Sequence, residues 1–296
     1  VEPAVSTPQL SVVIPTRDRC LTLAATLEAL DAAHGVSGAL EVIVVDDGSR
    51  DDTRQLLEGA APSSVELRWR SLAPGGPAIA RNRGVAEARA DRVLLLGDDT
   101  IPLPGTPERH LAAAAGGEVA VQGRIDWDPR EPPNRVMRFL APEGHQFYFA
   151  GLEHGQELGW GAVLASNLSA PRRWLLEEPF DERFPGAGFE DTELAYRWAG
   201  RGWRAVYDEQ AACWHRHRYE SIEPFLARQR RVGRSARVAV RLHPGMALRT
   251  VVQPTLVGVL FTLRHALRVM VGGATRESGW DLRCRWAFLR GFLGGR

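Results

Sequence analysis

Glu41-Val-Ile-Val-Val45, followed at once by Asp46-Asp47-Gly48-Ser49, is the stretch that decides the fold. A short run of mostly β-branched apolar residues, stopped by acids and a glycine, reads as a buried strand ending in a turn. Upstream, Leu10-Ser-Val-Val-Ile14 is a second such strand bounded by Pro15, and Leu21–Ala33 has helical spacing. Downstream, Asp51-Asp52-Thr53 caps a helix, Val65–Arg70 alternates like a strand, and Pro77–Ala88 is helical with proline near its start. Arg92-Val-Leu-Leu-Leu96 is one more strand. Strands alternating with helices at this spacing predict right-handed βαβ units and a parallel sheet. Ligands of such sheets bind beyond the carboxyl ends of the strands. Here those ends are Pro15-Thr16-Arg17-Asp18, Asp46–Ser49 and Gly97-Asp98-Asp99-Thr100.

The rest of the chain is less regular. Proline and glycine interrupt Ile101–Gly105 and Asp128–Pro133, and Arg135–Leu158 fits no element. Gly161–Leu168 resembles a strand, and Glu190–Ala199 a helix with acids in its first turn. From Arg216 onward the pattern is helical and arginine-rich, with a turn at His243-Pro244-Gly245. With 296 residues, 44% of them hydrophobic, the chain can bury a large core, which excludes a disordered tail, a collagen or a small disulfide scaffold. Cys20, Cys213 and Cys284 lie far apart, so neither a zinc knot nor a disulfide framework is expected. The chain has no lysine, which removes any lysine-based chemistry. Its net charge of +1 hides an asymmetry: residues 1–215 carry 21 arginines against 32 acids, residues 216–296 carry 16 against 4. So basic a tail calls for an anionic neighbour: a membrane surface, a phosphorylated acceptor, or the acidic body of the same protein.

Unpaired carboxylates crowded at one sheet edge repel one another unless a cation or hydroxyl donors sit among them. Asp46 and Asp47 follow one strand, Asp98 and Asp99 another. Either turn alone would equally suit helix capping.

Taken together, the motifs resemble the family 2 glycosyltransferases of the GT-A fold. The resemblance rests on Ser11-Val-Val-Ile-Pro-Thr-Arg17, Val44-Val-Asp-Asp-Gly-Ser49, Ala80-Arg-Asn-Arg-Gly84 and Leu95-Leu-Gly-Asp-Asp-Thr100, in the family's order and spacing. Gly186-Ala-Gly-Phe-Glu-Asp-Thr-Glu-Leu194 is similar to the family's catalytic-helix motif. The match spans residues 9–215 and leaves the remainder unassigned. It implies an α/β fold, Rossmann-like and mainly parallel, flanked by helices and followed by a helical extension. The expected parts are a nucleotide-sugar-binding half (1–100), an acceptor and catalytic half (101–215) and an arginine-rich extension (216–296).

The resemblance also implies roles. Pro15, Thr16 and Arg17 would hold the pyrimidine of the donor, with Arg17 stacking on the base or reaching a phosphate. Asp47 would read uracil or ribose, leaving Asp46 structural. The amide-rich Gly75-Gly76 turn and Arg81 would face the pyrophosphate. The family's Asp-x-Asp metal motif appears here as Gly97-Asp98-Asp99. Asp99 would bind Mn2+ or Mg2+ through the diphosphate, and Asp98 the ribose or a metal-bound water; the glycine leaves the strictness of metal dependence open. His215 would be a further ligand, with His217 as the alternative. Asp191 would be the general base, Glu190 the second choice. No paired nucleophile is evident, so inversion at the anomeric carbon is expected. Trp160 and Asn167 are the candidates for acceptor contact.

The function expected is thus transfer from a UDP-hexose or UDP-N-acetylhexosamine to an acceptor hydroxyl of unknown identity. A nucleotidyltransferase-like enzyme is the alternative, but it would want a Gly-rich loop with a lysine. A non-catalytic membrane-associated binding module is the third reading. Nucleic acid is not an expected partner. Val1–Leu10 lacks the basic start and apolar core of a secretory leader. Thr250–Leu263, at 14 residues with Pro254 inside, is shorter than the roughly 20 that a crossing helix needs. A soluble cytoplasmic protein is expected, whose basic segment either touches the inner face of the membrane, forms a homodimer or lies on its own body.

Overall fold

Successive residues of a strand point to opposite faces of its sheet, and this chain uses both. Val13, Ile43, Val45, Val93 and Leu95 enter one buried cluster, while Val12, Ile14, Val42, Val44, Leu94 and Leu96 enter another. Strands apolar on both faces must be covered on both, as parallel strands joined by helices are. The computed structural model, which describes residues 7–33, 40–141, 145–147, 149–184, 186–270 and 275–294, has that arrangement. Strands Leu10–Thr16 (β1), Leu40–Asp46 (β2), Glu66–Ser71 (β3) and Arg92–Leu96 (β4) run parallel in the order β3-β2-β1-β4. Helices Cys20–Ala33 (α1), Thr53–Gly59 (α2) and Pro77–Glu87 (α3) link them. Leu23, Leu30 and Leu57 of α1 and α2 cover one face; Ala78, Ala80 and Val85 of α3 cover the other. A Cβ on Gly84 would stand 2.4 Å from Val13 Cγ1, so glycine there lets α3 lie close on β1.

The second half completes one nine-stranded sheet. Its elements are Thr100–Pro102 (β5), Thr106–Ala113 (α4), Ala120–Trp127 (β6), Arg135–Leu140 (α5), Glu157–Leu158 (β7), Asn167–Pro171 (β8), Arg172–Glu177 (α6), Glu190–Gly200 (α7) and Ala205–His215 (β9). The order continues from β4 through β8, β6 and β9 to β5, with β7 also on β9. The pairs β4–β8, β6–β8, β5–β9 and β7–β9 are antiparallel, so the sheet is more mixed than expected. The strand expected over Gly161–Leu168 is instead a short turn at Trp160–Ala162, an irregular stretch and only then β8. Val163 and Ala165 are buried there without belonging to a ladder, which is why their apolar pattern misled.

Three helices follow: Glu223–Leu242 (α8), Gln253–Met270 (α9) and Arg276–Leu293 (α10). Tyr219, Ile222, Phe225, Leu226, Cys284 and Ala287 enter the same buried cluster as Leu168 and Trp174 of the sheet half, so α8 and α10 pack into the main core. They cross at glycines: a Cβ on Gly233 would meet Phe288 O at 2.1 Å, and one on Gly291 would meet Arg230 O at 2.1 Å. The expected turn at His243–Gly245 ends α8, but the chain resumes helical form immediately. Pro244–Ala266 runs 23 residues as one helix long and apolar enough to cross a membrane by length and composition, with only 18% of its apolar window buried. The 14-residue limit read from the sequence therefore does not hold. Residues 1–6 of the leader reading lie outside the described residues.

Candidate functional site

Because β1, β2 and β4 are neighbours, their carboxyl ends converge. Thr16 is in register with Asp46, and the Asp47 amide donates to Thr16 O at 2.8 Å. The turns lock together: the Asp18 amide donates to Ser49 Oγ and the Arg50 amide to Asp18 Oδ1. Asp18 holds φ at +53°, a left-handed conformation rare outside glycine and typical of functional turns. Beyond these ends lies a cleft of about 540 Å3. Pro15, Thr16, Arg17, Asp47, Arg81, Asp98 and Asp99, assigned to donor and metal, line it, whereas His215, the other expected metal ligand, is not among its lining residues.

Their contacts refine the expectations. Asp46 accepts from the Ser49 amide and Ser71 Oγ and holds its own turn. Asp47 accepts from the amides of Gly75 (2.6 Å) and Gly76 (3.0 Å), and Arg17 stands 3.6 Å away. The two glycine amides thus point at Asp47 and not at the open cleft, which corrects their expected role. Arg81 forms a buried ion pair with Glu190 at 2.8 Å, yet its Nε has no partner among the described residues.

Asp98 accepts from Thr16 Oγ1 at 2.8 Å. Burial, then the negative Asp99 beside it, pushes its carboxyl well above the ordinary range. Asp99 is also desolvated, but His215 first and Arg19 after it outweigh burial and hold its carboxyl below that range. Arg19 Nη1 is 2.5 Å from Asp99 Oδ2, and His215 Nε2 is 3.5 Å from the same oxygen. The pairing of Thr100 with His215 across β5 and β9 brings the histidine there. Sequence reasoning missed Arg19, although it stands two positions beyond Arg17 in a turn already singled out.

Among the described residues no group of three or more His, Cys, Asp or Glu could hold a metal by itself. Asp99 and His215 fit a hard divalent ion as a half-site, with the remaining positions left to ligand oxygens and water. Arg19 sits on the oxygen such an ion would need. A Cβ at Gly97, where the family motif has its first aspartate, would fall 2.6 Å from Thr100 Oγ1, so this turn has no room for that ligand without a shift. His217 makes no ion pair among the described residues; burial, then His215, pushes its imidazole down to about 4.

Glu190 and Asp191 open α7 and part company. Glu190 is 2% exposed and held by Arg81 and the Gly188 amide. Asp191 accepts from the Thr192 amide at 2.8 Å and lines a second cavity of about 460 Å3 with Trp160. Burial, then the charge of Glu190, pushes its carboxyl up to about 6. Phe189, just before them, holds φ at +74°. Stretches 164–166 and 186–191 contribute residues to both cavities. Asn167, expected to contact an acceptor, is fully buried: its amide donates to Arg124 O and Ala211 O, and its oxygen faces His110 Nε2 at 2.9 Å. It braces the sheet and touches neither cavity. The second cavity's contribution from α8 and α10 was not read from the sequence at all.

The description "Glycosyl transferase family 2" matches residues 11–177. At 30% identity over 222 residues the chain is similar to the validoxylamine A glucosyltransferase of Streptomyces hygroscopicus subsp. jinggangensis (strain 5008). That match takes in 66% of this chain and 52% of the relative, so the chain spans about half the length of the curated relatives it matches. In fold it is similar to a mannosyltransferase of Pyrobaculum calidifontis described in complex with GDP-Man and Mn2+, with a TM-score of 0.65 over 97% of this chain and 86% of that one at 16% identity. It is also similar to a fragment of S. aureus TarS in complex with UDP-GlcNAc, with a TM-score of 0.55 over 95% and 91% at 16% identity. The matched span runs through all three strand-end turns that build the cleft, and on that ground the chain belongs to glycosyl transferase family 2.

Proposed function

We propose that this protein transfers a sugar from a nucleotide-diphosphate donor, UDP-hexose or UDP-N-acetylhexosamine, to an acceptor hydroxyl with inversion. The observation that carries the reading is the position of Asp191: in a cavity lined by Leu164, Gly188 and Phe189, next along the chain to Ser166 and residues 186–187 of the donor-type cleft, with its carboxyl pushed up to about 6. Such a group is still ionised at neutral pH and is a stronger base than an ordinary carboxylate, which suits removal of a hydroxyl proton. Glu190 is tied to Arg81, so a single carboxylate serves the acceptor, as single displacement requires. Arg17, Arg19 and Arg81 surround the place of the diphosphate. Mn2+ or Mg2+ at Asp99 and His215 would supply charge neutralisation of the leaving diphosphate. The test is thermal unfolding with UDP, GDP, TDP and CDP, each with and without Mn2+. A ligand at 100 times its Kd adds about 2.7 kcal/mol. A rise in midpoint for UDP above the others, larger with Mn2+, is expected; no rise with any nucleotide defeats the donor reading.

The same proposal puts the protein at the cytoplasmic face of an anionic membrane, held peripherally by its C-terminal helices. Nine arginines there, Arg228, Arg230, Arg231, Arg234, Arg237, Arg241, Arg249, Arg264 and Arg290, form no ion pair among the described residues. Their charge is therefore not absorbed by the acidic body. Leu256, Leu260 and Leu263 of α9 are each at least 60% exposed, an apolar face beside that charge. Cys20, Cys213 and Cys284 are free thiols, in keeping with a reducing compartment. Co-sedimentation with vesicles containing phosphatidylglycerol should be salt-sensitive and lost in Leu256→Glu/Leu260→Glu. A dimer in solution with no vesicle binding would assign the face to a second copy.

A further inference from the structure

We propose that the second cavity takes an amphipathic acceptor that carries an anionic group, phosphate or carboxylate, besides the hydroxyl that is glycosylated. This rests on Asp191 being the base. The cavity is closed by parts that the family motifs do not supply: α8, α10 and the segment that leads into α9. Its wall therefore describes this chain's own acceptor.

Charge is the first observation. Arg228, half-buried on α8, and Arg249 both line the cavity, and neither forms an ion pair among the described residues. Arg285, the third guanidinium there, is committed to Asp281 at 2.8 Å and lies over the Phe261 ring. Asp191 brings one negative charge to the wall, since Arg81 on the donor side is already paired with Glu190. Arg228, which lies over the Phe225 ring, and Arg249, neither in an ion pair among the described residues, outweigh the single charge of Asp191 and leave the cavity a positive balance that an anionic ligand would neutralise.

Polar satisfaction is the second, independent observation. Gln146 Oε1 and Thr250 Oγ1 belong to side chains 7% and 4% exposed, both on the cavity wall, and neither atom has a partner among the described residues. Buried polar atoms without partners are uncommon, and two of them on the wall of one cavity point to a ligand that completes them. Gln146 Oε1 can only accept, so the ligand must bring a donor, as a polyol or sugar hydroxyl does. Trp160, Phe288 and Val232 give the rest of the wall an apolar surface for the ligand's body. Arg249 is exposed in the segment that leads into α9, so the anionic group can belong to a soluble metabolite or to a lipid headgroup; both present the same chemistry to Arg228.

The test uses the full chain with UDP and Mn2+ at saturation, so that phosphate sites of the donor cleft are filled. Isothermal titration with hexyl phosphate and with hexanol compares an anionic and a neutral probe. Binding of hexyl phosphate at least tenfold tighter than hexanol is expected, weakened at least tenfold in Arg228→Gln and largely kept in Arg228→Lys. Equal affinity for both probes, or equal affinity of wild type and Arg228→Gln/Arg249→Gln for hexyl phosphate, overturns the proposal. Vesicles with phosphatidate against phosphatidylcholine alone separate the sources: binding that depends on Arg228 assigns a lipid headgroup, and binding of the soluble probe only assigns a metabolite. The UDP-induced rise in midpoint, read on the same samples, keeps the two readings apart. If UDP gives no rise, the donor reading fails; if UDP acts but hexyl phosphate does not bind, only the acceptor inference fails.

Discussion

Replacing Asp191 with asparagine should sharply lower turnover and stabilise the protein at the same time. The carboxyl has an ordinary value of 3.8 and is pushed to about 6 by burial and by Glu190. Each pH unit between those values corresponds to about 1.4 kcal/mol, so keeping Asp191 ionised in the fold costs about 3 kcal/mol. The side chain retains some contact with water, which trims the figure toward ~2 kcal/mol. The sign follows from linkage: the folded state prefers the protonated acid, so this contribution is present below pH 3.8 and is lost as pH rises through about 6. Asparagine never ionises; its single Oδ1 can keep the Thr192 amide bond at 2.8 Å, while the longer 3.3 Å bond from the Ala165 amide, made to the other carboxylate oxygen, is lost. Urea unfolding should therefore place the variant within ~0.5 kcal/mol of wild type near pH 4 and about 2–3 kcal/mol above it at pH 7. Turnover should fall by about 10²–10⁴, the usual contribution of a general base, while the UDP-induced midpoint rise is kept. A variant no more stable than wild type at pH 7 refutes the desolvation argument. Turnover near wild type removes Asp191 as the base.

Two further substitutions probe the parts that flank this residue. Gly233→Ala places a methyl 2.1 Å from Phe288 O, so α8 and α10 must separate. Overpacking of this kind costs about 1–3 kcal/mol, and because Phe288 lines the second cavity, the midpoint should drop while nucleotide binding survives. Arg19→Gln removes the cation that now occupies Asp99 Oδ2. Mn2+ binding without nucleotide, followed by electron paramagnetic resonance, should tighten about tenfold, equivalent to ~1.4 kcal/mol; unchanged affinity would show that Arg19 does not compete with the ion.

What was legible in the sequence follows a physical divide. The parallel half could be read because buried parallel strands are short apolar runs ending in glycine- and acid-rich turns, and Val42–Val45 and Leu94–Leu96 carry that pattern without interruption. The same logic placed Thr16, Asp47 and Asp99 in one cleft, since adjacent parallel strands must end together. The second half resisted because its order in the sheet depends on long-range antiparallel pairing. Val163 and Ala165 are buried as strand residues would be but sit in an irregular stretch that no local pattern distinguishes. Asn167 failed for a related reason: a polar residue near expected acceptor contacts is indistinguishable in sequence from one that ties strands together. Arg19 and Arg228 look like any other arginine in a chain with 37 of them. Only the ion pair of Arg19 with Asp99, and the lack of one at Arg228 among the described residues, gives them different meanings.

Glu190 and Asp191 show how one step along a helix separates two tasks. Adjacent helical residues are rotated by about 100°, enough to aim one carboxylate at Arg81 and the other into the second cavity. Arg81 thereby belongs to both sides: it lines the first cleft and neutralises the acid beside Asp191, the proposed base. Glu190→Gln tests this arrangement. It removes the negative neighbour that raises the Asp191 carboxyl and leaves the Arg81 guanidinium, which lowers it, less compensated. Both effects have one sign, so Asp191 should ionise at lower pH than about 6, by roughly half a unit to one unit for a charge at this range. In wild type, kcat/KM should fall tenfold per pH unit below about 6, as the base takes up its proton. In the variant that limb should move to lower pH while the plateau rate changes little, because the base itself remains. A limb that stays near 6 would leave desolvation alone as the cause and Glu190 as only the tether between α3 and α7. A plateau that collapses with the limb unmoved would instead make Glu190 the base, and the assignment of Asp191 would fall with it.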